Sequence, residues 1–153
     1  MISNVRAFQV VDLGAIAPTG NATQANAIND RGQIVGRSQT AEPLGTGFGN
    51  QGFIWENGVF KPLTSTGVKK ASGANTGETV TQRGGGGFTA AINDLGVIVI
   101  ITSDEFAGRP TDRGLVWQKE AGGDSKLDIT DWGGVETYFY DINNQNQIAG
   151  RHV

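Results

Sequence analysis

A chain of 153 residues suffices for one domain with a real core, yet only 37% is hydrophobic and 18% charged, below the usual ~45–50% and ~25%. Twenty-four glycines make up the difference without a three-residue period, which excludes collagen and points to many turns joining short strands. A net charge of −3 with scattered Lys and Arg excludes a basic stripe for nucleic acid, and the lack of cysteine excludes disulfides and thiolate metal sites.

In chain order, the N-terminal "MISNVRAFQVVDLG" has no signal-peptide core, so a cytoplasmic location is expected. The longest apolar run, "LGVIVII", is far shorter than the roughly 18 residues of a membrane helix, and no membrane association is expected. "AINDRGQIVGRS" (27–38) then reads as two alternating segments around Asn29-Asp30-Arg31-Gly32. Asn or Asp side chains bond the backbone of such a turn, and Gly accepts positive φ. The segment returns as "AINDLGVIVIIT" (91–102) and "DINNQNQIAGRH" (141–152). The third copy carries Asn146 where the others carry Gly, and Asn is the next-best residue for a left-handed turn. Asn-Asp-x-Gly lacks the acidic spacing and the final Glu of a calcium loop, so a structural turn is expected and no metal.

A second unit follows two of the copies. "QGFIWENGVFKPL" (51–63) and "RGLVWQKEAGGDSKLDI" (113–129) align Phe53, Trp55 and Phe60 with Leu115, Trp117 and Leu127. Asn57-Gly58 is a hairpin signal, and Gly122-Gly123 serves the longer turn. Each repeat therefore reads as four short antiparallel strands. Repeat one covers about 22–63 and repeat two about 88–129. A partial third covers about 135–153, with residues 6–14 supplying its fourth strand.

The residues "AINDRGQIVGRS" and "GFIWENGVFKPL" resemble the HAF repeat, in which Gln51-Gly52-Phe53 and Arg113-Gly114-Leu115 stand in place of the usual His-Ala-Phe. That resemblance implies an all-β, propeller-like fold of four-stranded antiparallel blades, and an extracellular setting as an alternative to the cytoplasm. Two full blades and a partial one, closed by the N-terminal strand, fall short of the usual four to eight. A homodimer is therefore expected, either two chains completing one six-bladed ring or subunits trading strands, with an open propeller-like or sandwich monomer as the alternative.

The long connections share one face: 39–50, 103–112 and the Gly-rich 64–87, whose four consecutive glycines predict flexibility. No Lys-Ser/Thr follows those glycines, so they form no phosphate loop, and no cofactor motif is present. Candidate ligand residues on this face are Arg37 and Arg151 at equivalent strand ends, Trp132 and Tyr138 for stacking, and Asp112. Weak catalytic candidates are Asp104, Glu105 and Tyr138. His152 is the only histidine and Ser38 occupies the matching place in repeat one, but no G-x-S-x-G surrounds a serine.

The expected function is a binding module for a glycan or another small polar ligand on the long-loop face. Two other readings remain open: a small β-fold enzyme with a carboxylate–aromatic pocket, and a structural repeat protein whose long loop serves assembly.

Overall fold

A computed structural model describes residues 8–14, 22–39, 50–63, 68–70, 79–80, 87–106, 109–119, 125–129 and 136–153, with backbone alone at 39, 50, 68–70, 79–80, 87–88, 102–106, 109–113 and 125–129. The described chain is all-β, with twelve strands in three sheets. The first sheet runs β1 (Thr23–Ile28), β2 (Ile34–Gln39), β3 (Asn50–Glu56), β4 (Val59–Pro62), in that order and antiparallel throughout. The second contains β7 (Gly87–Ile92), β8 (Ile98–Phe106), β9 (Arg109–Lys119) and β10 (Ser125–Ile129) in the same order. Two strands from the 64–87 connection, β5 (Val68–Lys70) and β6 (Thr79–Val80), extend its outer edge, with β5 parallel to β10. The third sheet is the hairpin β11 (Thr137–Ile142) and β12 (Ile148–His152).

The three hairpins repeat one local structure. Gly32 N–H donates to Asn29 O at 3.0 Å, Gly96 to Asn93 at 3.0 Å, and Asn146 to Asn143 at 3.0 Å. The residue closing each turn is left-handed: Gly32 at φ 73°, Gly96 at 81°, and Asn146 at 60°. In each turn the leading asparagine's Oδ1 accepts two backbone N–H groups, as with Arg31 at 3.1 Å and Gln33 at 3.0 Å for Asn29. Even the irregularity recurs, since the register shifts between Ala25/Ala27, Thr89/Ala91 and Phe139/Asp141. Further on, Ile34 pairs with Trp55 and Ile98 with Trp117, then Trp55 with Phe60 and Trp117 with Leu127. Asn57 and Gly58 at φ 51° and 82° make the tight turn whose twist suits two adjacent strands.

One amphipathic sheet cannot cover its apolar side alone, so each packs on the next. Val35, Ile54 and Leu63 of the first sheet share a buried cluster with Ile92, Ile98, Ile100, Leu115 and Trp117 of the second. The other side of the second sheet, through Ala91, Val97 and Val99, buries Phe139 and Ile142 of the third. Gly114 makes room there: a Cβ on it would meet the Phe139 ring at 2.6 Å.

The turns lock this stacking in register. Asn29 Nδ2 donates to Asn93 O at 2.9 Å, and Asn93 Nδ2 donates to Asn143 O at 2.9 Å. Beside these, Asp30 N–H donates to Asp94 Oδ1 at 2.8 Å and Asp94 N–H to Asn144 Oδ1 at 2.9 Å. Identical bonds thus link turn one to turn two and turn two to turn three.

One expectation is corrected, and closure by the N-terminal strand is not seen among the described residues. The sheets are open, and residues 8–14 join none of them; Phe8 and Val10 are 91% and 96% exposed. A fourth strand bonds to a third, as β4 does to β3, and among the described residues the third sheet has no third strand. Residues 103–106 and 109–112, expected as loop, are strand: β8 and β9 stay paired out to Phe106 and Arg109.

Candidate functional site

Beside the turn ladder, at the short-turn ends of the first two sheets, lies a groove of about 580 Å³. Ile54, Leu63, Val97 and Trp117 line it from the core side, and each is at least nine-tenths buried. Trp117 reaches this position because its place on β9 opposite Ile98 repeats that of Trp55 opposite Ile34. Its indole N–H is sealed from solvent and has no hydrogen-bond partner among the described residues. What the groove exposes of Trp117 is therefore not its donor.

The rim is charged, with Arg31, Lys61 and Lys119 against Glu56. Glu56 and Lys61 straddle the Asn57-Gly58 turn, which folds the two side chains together at 3.4 Å. The Glu56 carboxylate also accepts from Gln33 Nε2 at 2.8 Å, and Gln33 Oε1 accepts from Asn29 Nδ2 at 2.7 Å. A chain of bonds therefore runs from the locked turn to the rim carboxylate. The Gln33 bond first, then Lys61, pulls the Glu56 pKa below the ordinary range and keeps the group an ionised acceptor. The groove offers an apolar floor, one fixed acceptor and an excess of cations. Together these suit a small ligand with both polar and apolar surface and an acidic group.

The residues singled out from the sequence are distributed differently. Tyr138 and Arg151 do meet: they pair across β11 and β12, with the guanidinium 4.4 Å from the ring centroid. Tyr138 OH donates to Glu136 at 3.1 Å. Arg37 holds the equivalent place opposite Gln24 and donates to its Oε1 at 3.1 Å. Each arginine is thus engaged on its own hairpin. Ser38 is buried in the first sheet and shares a hydrogen bond with Thr23 at 3.0 Å, whereas His152 is exposed in the third, so the two do not form a catalytic pair. Asp104 and Glu105 lie on β8 opposite Thr111 and Pro110, and Asp112 lies on β9 opposite Ser103. Their side chains, and Trp132 altogether, fall outside the described residues. Among the described residues no group of His, Asp and Glu is placed to hold a metal.

No residue motif marks the groove. The one signal available was the pair Glu56 and Lys61 flanking an Asn-Gly turn, which reads equally as an exposed ion pair. Comparison with family models, curated proteins and solved structures found no match for this chain.

Proposed function

We propose that the chain is a ligand-binding module of HAF-like repeats, stacked as propeller-like blades, and that its ligand is a small acidic sugar held in the groove between repeats one and two. The groove itself carries the reading. Its volume of about 580 Å³ falls within the roughly 300–1,000 Å³ of small-molecule sites. Lys61, Arg31 and Lys119 supply the charge to receive a carboxylate, and Glu56 is held by Gln33 to accept a hydroxyl. The apolar floor suits the carbon face of a sugar ring. We place the ligand in this groove rather than on the long-loop face because the groove sets an apolar floor beside fixed charged groups.

Calorimetric titration with a panel of neutral and acidic oligosaccharides tests the reading. Acidic members are expected to bind, and Lys61→Ala to weaken that binding about tenfold, the equivalent of ~1.4 kcal/mol. Binding of neutral sugars alone, or binding that Lys61→Ala leaves untouched, contradicts it.

A further inference from the structure

The turn ladder has two unlike ends. At the repeat-three end Asn143 Nδ2 donates to Gln147 Oε1 at 2.7 Å, as Asn29 Nδ2 does to Gln33. In turn one that same nitrogen also reaches the next repeat's carbonyl. The matching second N–H of Asn143, and the backbone N–H of Asn144, have no acceptor among the described residues. At the repeat-one end the situation is reversed. Asn29 O accepts only Gly32 N–H among the described residues, whereas Asn93 O accepts both Gly96 N–H and Asn29 Nδ2. The Asp30 carboxylate also stands open where Asp94 is filled by Asp30 N–H and Asn144.

The apolar parts follow the same pattern. Ile28, Ile92 and Ile142 occupy one position in the three repeats, and their exposures are 66%, 7% and 6%. Ile92 and Ile142 are buried beneath a preceding repeat, whereas none of the described residues covers Ile28. Conversely, Val35 and Val99 are fully buried beneath the following repeat, and Ala149 in their position is exposed. A shallow groove lies there, lined by Ile142, Ile148 and Ala149 with Asp141, Asn143 and Gln147. At the first junction Asn26 Nδ2 donates across to Thr89 O at 2.6 Å, and Tyr140, 54% exposed with a hydroxyl to donate, holds the Asn26 position in repeat three.

We propose that the repeat-three end of one chain docks on the repeat-one end of a second copy, and that two reciprocal junctions close a ring of six repeats. Asn143 Nδ2 and Asn144 N–H meet the partner's Asn29 and the partner's Asp30, and the partner's Ile28 enters the groove beside Ala149. Donors face acceptors only in this head-to-tail sense, which continues the two junctions already inside the chain. A heterologous contact either closes or grows into a filament, and six repeats lie within the range of closed propellers. Asp141 stands where the internal junctions have Ala27 and Ala91, and Ala149 where they have Val35 and Val99, so this junction buries less apolar surface and dissociates on dilution. The proposal is independent of what the groove between repeats one and two binds.

Sedimentation velocity of the full chain across a dilution series tests it, with circular dichroism as the control for folding. The expected species is twice the 16.1 kDa chain mass, in exchange with monomer. Asp30→Lys removes the acceptor that faces Asn144, while the internal junction uses only the Asp30 backbone, so this variant is expected to be folded and monomeric. Asp141→Ala is expected to lower the dissociation constant about tenfold. Wild-type monomer at every concentration, a dimer indifferent to both substitutions, or an unlimited series of larger species would each overturn the closed two-chain ring.

Discussion

At the scale of single residues, the fold turns on an asparagine that acts in two directions. In each hairpin its Oδ1 ties down the turn, and from Asn29 and Asn93 its Nδ2 reaches the following repeat. Aspartate performs the first task and not the second. Asn93→Asp removes donors to Asn143 O and Asn146 Oδ1 and leaves a 3% exposed carboxylate against those oxygens. It is expected to cost about 3–5 kcal/mol in a urea titration. The same change at exposed Asn143 loses only the Gln147 bond and is expected to cost under ~1 kcal/mol in the monomer. Equal costs would show that the two asparagines do not differ in role. The turn itself was legible, because Asn, Asp and Gly have local backbone preferences. The second task was not, since its acceptors lie 50 and 64 residues away in sequence.

Among the elements, the hairpins were legible down to corresponding residues: Phe53 with Leu115, Trp55 with Trp117 and Phe60 with Leu127 occupy equal places in the two ladders. Alternation and the Asn-Gly turn carry that information. The β8–β9 extension was not legible, because Asp104, Glu105 and Pro110 are poor strand formers and read as loop. The pairing of neighbouring strands overrides their preference. Packing between elements gives a sharper test. Gly114→Ala drives a methyl into the Phe139 ring, which is 1% exposed. A loss of about 1–3 kcal/mol is expected. Adding Phe139→Leu to Gly114→Ala should recover part of it, and purely additive losses would show that the two residues do not touch.

For the molecule as a whole, stacking is a sum of neighbouring junctions, as in other repeat proteins. The groove is a product of that stacking, which explains why no contiguous stretch of sequence announces it. Two ionised carboxylates favour the folded state, Asp94 across the stacked turns and Glu56 within the first sheet. Asp94 accepts from Asn144 Nδ2 at 2.6 Å and then from Asp30 N–H, and its pKa is lowered by those bonds in that order. Glu56 is lowered by Gln33 and then Lys61. A depressed folded pKa gives stability that is present above the unfolded value, about 3.9 for Asp and 4.3 for Glu, and is lost as pH falls through the folded one. The melting temperature is therefore expected to fall below about pH 4, and to fall less in Asp94→Asn. An identical acid profile in that variant would remove Asp94 from the junction.

Amide hydrogen exchange at the turn tips tests the ladder most directly. Asp30 and Asp94 N–H project from tight turns, where an isolated hairpin leaves them to solvent. Stacked repeats protect both, and Asp94→Ala should release Asp30 while the N–H groups of β2 stay protected. Unprotected exchange at Asp30 and Asp94 in the folded wild type would contradict the stacking of repeats through their turns.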